Sequence, residues 1–108
     1  MSEIYESELD YLVQYGETSS VYFTILWDAA ETVVGDGSSV SDAQKAAIRL
    51  VGDMLDRGIR VGDASPRDGE EVIPWDLSRE EILHRIEREM QMYDDPSDYI
   101  NICWFSTH

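Results

Sequence analysis

Apolar residues recur along this chain mainly at helical spacing. In residues 7–15, Leu9, Leu12 and Val13 share one side of a short helix, with Ser7 placed to cap it and Gly16 to end it. Residues 21–27 have the β-branched and aromatic content of a strand. However, Tyr22, Leu26, Ala29 or Ala30 and Val33 carry a helical period on to Gly35, so a second helix is predicted, closed by a loop at 35–39. Ser41 and Gln44 have capping-box spacing ahead of a third helix, whose stripe is Ala47, Ile48, Val51, Met54 and Leu55. Gly58 stands where a left-handed C-terminal cap is wanted.

Beyond Gly58 the period shortens. Ile59, Arg60 and Val61 alternate as a short strand, and the Pro-Arg-Asp-Gly sequence at 66–69 predicts a turn. The segment at 72–75 is apolar, and Pro74 restricts it to a sheet edge. Ser78 and Glu81 repeat the capping-box spacing before a fourth helix, which presents Ile82, Leu83, Ile86, Met90 and Tyr93 on one face. Its charges suggest an i,i+4 pair between Glu81 and Arg85 and another between Arg85 and Glu89. The Asp-Asp-Pro-Ser sequence at 94–97 breaks that helix. Residues 99–106 then read as a central strand, with Ile100, Ile102 and Trp104 on one side and Tyr99, Cys103 and Phe105 on the other. The expected fold is α+β: three N-terminal helices and a small antiparallel sheet with an inserted helix, a winged-helix-like layout in one domain over residues 1–108.

Charge changes the picture most. Residues 1–40 hold eight acidic side chains and no lysine or arginine. The whole chain carries 23 acidic against 8 basic residues, a net charge of −15 on 108 residues. Such a field repels nucleic acid, anionic membranes and phosphorylated substrates, and it steers a basic protein surface into contact. It also disfavours self-association, so a monomer is expected when the protein is free. The third helix offers Lys45, Arg49 and Arg57 as a DNA reader would, but Asp42, Asp53 and Asp56 interrupt that face. With 43% apolar residues the chain has the material for a core despite its charge. Adaptation to salt is the plain alternative source of the acidity, although it would also have thinned the basic residues of 41–60.

Little else points to chemistry. The N-terminus lacks the basic and apolar regions of a secretory signal, and no uncharged run is long enough to span a bilayer, so a cytoplasmic protein is expected. One cysteine, Cys103, makes neither an internal disulfide nor a cysteine-based zinc site, and in an apolar strand it reads as a core thiol. His84 and His108 lie in no metal-ligand or catalytic spacing, and glycine-rich phosphate loops are absent. The acids Asp63, Asp68, Glu70 and Glu71 do not match the calcium-loop pattern, since glycine arrives at the seventh position rather than the sixth. No catalytic residue, metal or cofactor is therefore assigned. Tyr5, Tyr11, Tyr15 and Tyr93 each lie close to acids in sequence. Such tyrosines either rim the core or grip a basic partner.

The C-terminal half contains Pro74-Trp75, Leu-Ser-Arg-Glu-Glu at 77–81, Arg-Ile-Glu-Arg-Glu at 85–89 and Ile-Cys-Trp-Phe at 102–105, preceded by Arg-Gly-Ile-Arg-Val-Gly at 57–62. In this order the phrases resemble short bacterial proteins similar to the immunity proteins of polymorphic toxins. The resemblance covers roughly residues 50–106 and implies a non-enzymatic inhibitor that binds a basic toxin domain. The expected partner-binding residues are Asp68, Glu70 and Glu71 in one turn and Tyr93, Asp94, Asp95 and Asp98 in another, since both are loop positions able to enter a cleft. An acidic nucleic-acid mimic or adaptor that binds a basic regulator is the alternative.

Overall fold

The computed structural model describes residues 3–64 and 72–106. In chain order these form α1 (Glu3–Thr18), β1 (Val21–Tyr22), α2 (Phe23–Val34), α3 (Val40–Asp56), β2 (Arg60–Ala64), β3 (Val72–Pro74), α4 (Arg79–Met92), a 3-10 helix (Pro96–Asn101) and β4 (Trp104–Ser106). The architecture is α+β, with α4 inserted between strands of a small antiparallel sheet. Strand order is β1-β4-β2-β3, every pair antiparallel. Phe105 on the central strand β4 is in register with Val21 on one side and Val61 on the other. All three are buried, so one sheet face closes onto the helices. Pro74 sits on the edge strand β3, where its missing amide breaks no ladder. The Trp75 amide continues the pairing beyond it, donating to the Val61 carbonyl at 2.9 Å.

One core joins α1, α2 and α3 to the sheet and to the inner face of α4. Leu12, Leu26, Leu50, Met54, Ile86, Met90 and Phe105 are fully buried. Each such side chain contributes about 1.5–3 kcal/mol of burial. Three alanines of α3, Ala43, Ala46 and Ala47, lie on its buried face, and α2 packs most extensively there. Small side chains let the two helices approach closely. Gly58 has φ of +93°, the left-handed C-terminal cap that its position predicts.

Several local expectations change. Helix α1 begins at Glu3 and ends at Thr18, so Ser7 is an exposed helical residue and Gly16 an interior one. Gly16 is buried where a Cβ would meet Ile59 Cδ1 at 2.9 Å, so close packing rather than helix termination accounts for it. The strand character of residues 21–27 and their helical period are both real. Val21 and Tyr22 join the sheet, and the helix starts at Phe23. On α3 the cap is Ser39, whose hydroxyl accepts from the Asp42 amide at 3.1 Å while Asp42 Oδ2 accepts from the Ser39 amide at 3.3 Å. Gln44 is thereby released from the expected box and donates instead to the Tyr99 hydroxyl at 2.9 Å. The second capping box forms as its spacing predicts, between Ser78 and Glu81. Because the Glu81 carboxylate is held at the cap, Arg85 pairs with Glu89 at 2.9 Å.

The largest correction concerns residues 99–106. Only Trp104–Ser106 is strand, and Tyr99 lies in the 3-10 helix. Asp95 caps that helix through the Ser97 amide at 3.0 Å, with Pro96 at its first position, where a missing amide costs nothing. Local chemistry at 95–97 therefore overrides the alternating pattern that follows it.

Candidate partner-binding surface

The 3-10 helix is fixed by aromatic packing. Tyr99 is 1% exposed, and its ring meets Trp27 edge-on at 5.0 Å, Phe23 at 5.7 Å and Tyr93 at 6.4 Å. This anchor holds the helix against α2. Glu31 of α2 and Pro96 then line one cleft of about 100 Å³ with Trp27 and Val34. Asp94, Asp95 and Asp98, close to Pro96 in sequence, stay exposed, as does Glu31 on α2. Hydrogen bonds from the Ser97 backbone hold the Asp95 carboxyl below the usual range, so it is ionised throughout the neutral region. Met92, 73% exposed, adds an apolar side chain next to these acids. Of the seven residues expected to contact a partner, Tyr93, Asp94, Asp95 and Asp98 thus cluster at one corner, with Tyr93 half-buried as part of its support. Asp68, Glu70 and Glu71 lie outside the described residues.

Arginine placement sharpens the charge asymmetry. Arg57 reaches across to α1, at 3.2 Å from Asp10 and 4.0 Å from Glu6. Arg79 forks onto both oxygens of Asp56 at 3.0 and 3.2 Å. Among the described residues, no ion pair reaches Glu8, Glu17, Asp28, Glu31 or Asp36. Internal pairing therefore leaves most of the N-terminal acids available to solvent or to a partner.

Residues of several C-terminal phrases meet in one place. The Arg85 guanidinium lies over the Trp75 ring at 3.8 Å, and Trp75 Nε1 donates to Asp63 Oδ1 at 3.1 Å. Together with Arg85–Glu89, this ties the β2–β3 hairpin to α4. Trp75 is half-buried, its ring packed under a cation at the surface. A cation on an aromatic face contributes about 0.5–1 kcal/mol at exposed sites. Cys103 lies close to the same charges. Burial pushes its thiol well up and Glu89 adds to the shift, while Arg85 acts in the opposite direction. Such a thiol stays protonated and sheltered, which suits packing rather than nucleophilic attack. His84 is exposed on α4.

The four tyrosines divide. Tyr5 is 2% exposed and donates to the Asp53 carboxylate, with the Arg49 guanidinium 4.3 Å from its ring centre. Burial, then the Asp53 hydrogen bond, pushes its phenol pKa far up. Tyr15 and Tyr93 are half-buried, and Tyr11 is 50% exposed. Sequence position cannot separate these cases, since all four stand near acids. Helical phase can, because Tyr5 shares a face with Leu9 and Leu12.

No helix among the described residues is long and apolar enough to cross a membrane. Among these residues, groups of three or more histidine, cysteine, aspartate or glutamate side chains arranged to hold a metal ion are also absent. Compared with protein-family models, curated proteins and solved structures, the chain matches none.

Proposed function

We propose that this protein is a non-enzymatic acidic inhibitor, an immunity protein that binds a basic bacterial toxin and blocks its active site. The observation that carries this reading is the docking of the 3-10 helix on α2. It brings the 94–98 segment, through Pro96, to the cleft that Glu31 lines, although more than sixty positions separate the two in sequence. Carboxylates on this corner would occupy sites where a nuclease or nucleotide-using toxin holds phosphates. Charge speeds the encounter, and exposed Met92 supplies apolar contact. The protein acts in the cytoplasm, as a monomer until it meets its partner, because a charge of −15 opposes self-association.

Co-expression tests this directly. The product of the gene preceding this one is expressed alone and together with the protein, and cell growth is followed. Toxicity relieved by the protein supports the proposal. Toxicity that persists at equal or greater inhibitor levels, or an upstream product without toxicity, counts against it.

A further inference from the structure

Helix α1 carries a second surface feature that the acidic corner does not use. Its buried residues are Tyr5, Leu9, Leu12 and Gly16. One position earlier, at the same i, i+4, i+7, i+11 spacing, stand Ile4, Glu8, Tyr11 and Tyr15, which therefore share the flank bordering the buried face. Ile4 is 53% and Tyr11 50% exposed, two of the most exposed large apolar side chains described. The Tyr11 and Tyr15 rings meet edge-on with centroids 5.9 Å apart, so the exposed ring is already braced by its half-buried neighbour. A braced ring loses little conformational freedom when a partner packs on it.

Charge identifies the occupant. Arg57 approaches α1 from the flank of Glu6 and Asp10, and Glu8 has no ion-pair partner among the described residues. Neither α1 nor α2 supplies a cation, since residues 1–40 contain none. A second copy of the chain would bring another fifteen negative charges to this face, and an anionic membrane surface would likewise be repelled. We propose that the Ile4–Glu8–Tyr11–Tyr15 face of α1 is the affinity-determining docking surface for an arginine-bearing amphipathic segment of the partner. An arginine laid on Tyr11 finds an aromatic face and, one turn back, the Glu8 carboxylate. Ile4 extends the apolar contact. This inference rests on the reading of the protein as an inhibitor of a basic partner. It divides the labour: the 94–98 corner steers association, and α1 slows dissociation.

The test uses a fluorescein-labelled amphipathic peptide of arginine and leucine, with a glutamate-leucine peptide of equal length as control. Anisotropy titrations compare the unaltered protein, an Ile4→Ser/Tyr11→Ala variant and an Asp94→Asn/Asp95→Asn/Asp98→Asn variant, with circular dichroism to confirm folding. A Glu8→Lys variant, which keeps the apolar residues and reverses the carboxylate that the arginine would meet, serves should the double variant unfold; it should weaken arginine-leucine binding, and unchanged binding overturns the α1 assignment. The α1 variant is expected to weaken arginine-leucine binding about tenfold, the effect of losing one aromatic hot spot. It should keep its salt dependence, whereas the triple variant should show a reduced salt dependence with a smaller change in affinity. Equal binding by the unaltered protein and the α1 variant overturns the α1 assignment alone. So does equal binding of the glutamate-leucine peptide. Absence of saturable binding to the arginine-leucine peptide at low salt overturns the assignment together with the reading beneath it.

Discussion

Replacing Ser39 by alanine should destabilise the protein, while replacing Ser41 should not. Both serines precede the apolar stripe of α3 and both have an acceptor three residues on, but only Ser39 faces an orphan amide. Its hydroxyl accepts from the Asp42 amide at 3.1 Å, and Asp42 returns a bond to the Ser39 amide at 3.3 Å. Ser39→Ala leaves the Asp42 amide to water and removes one arm of the box, costing about 1 kcal/mol. Ser41 lies inside the helix and is exposed, so Ser41→Ala should change stability by less than about 0.5 kcal/mol. For a chain near this size 1 kcal/mol corresponds to about 4–8 °C in melting temperature. Thermal melts and urea titrations followed by circular dichroism resolve that difference, and an unchanged urea slope shows that the native state is still being compared. Asp42→Ala should also destabilise, since it deletes the return bond and a negative charge at the helix start. A Ser41→Ala loss equal to or larger than that of Ser39→Ala would refute the assigned register.

Further consequences follow from burial and backbone geometry. Cys103 should resist a disulfide-exchange thiol reagent in the native state and react promptly in urea, and fast native labelling would contradict its burial. Tyr5 holds its proton more tightly when folded than when unfolded, so the unfolded state sheds that proton first on raising pH. Stability from this group is intact below the ordinary phenol range and falls as pH rises above about 10. In Tyr5→Phe the stability-versus-pH curve above that point should be flatter, and an unchanged slope would sink the assignment. Gly58→Ala forces a Cβ into φ of +93° and should cost about 1–2 kcal/mol in urea unfolding.

Long apolar periods were legible in the sequence, whereas of the three serine caps read from it only Ser78 stands where it was expected, Ser7 and Ser41 both lying inside their helices. Helix α4, its Ser78–Glu81 box and the glycine turn at Gly58 appear where residue chemistry predicts them, and Pro74 sits on an edge strand. Short elements were less legible. Two residues of strand at 21–22 carry too little pattern to stand apart from the helix that follows, and their pairing with β4 is set by a contact more than eighty positions away. Residues 99–101 alternate like a strand, yet Asp95, Pro96 and the burial of Tyr99 against Trp27 turn them into a 3-10 helix. Clustered acids at 94–98 announced an exposed corner. Their neighbours Glu31 and Met92 did not, because only the docking of that helix on α2 brings Glu31 close, and Met92 lies outside the apolar stripe of α4, on its exposed side. Likewise Ile4 and Tyr11 became visible as one surface only once α1 was seen to begin at Glu3, four residues earlier than its serine suggests.

Selective binding of one basic partner is the central claim, and capture from source cells tests it most directly. The protein is immobilised, exposed to lysate at low and then moderate salt, and the eluate analysed by mass spectrometry. The expected result is a single basic protein in stoichiometric amount that survives moderate salt, because aromatic and apolar contacts outlast screening. A broad set of basic proteins, all released at moderate salt, would show that the negative charge only solvates the surface and would contradict the proposed function.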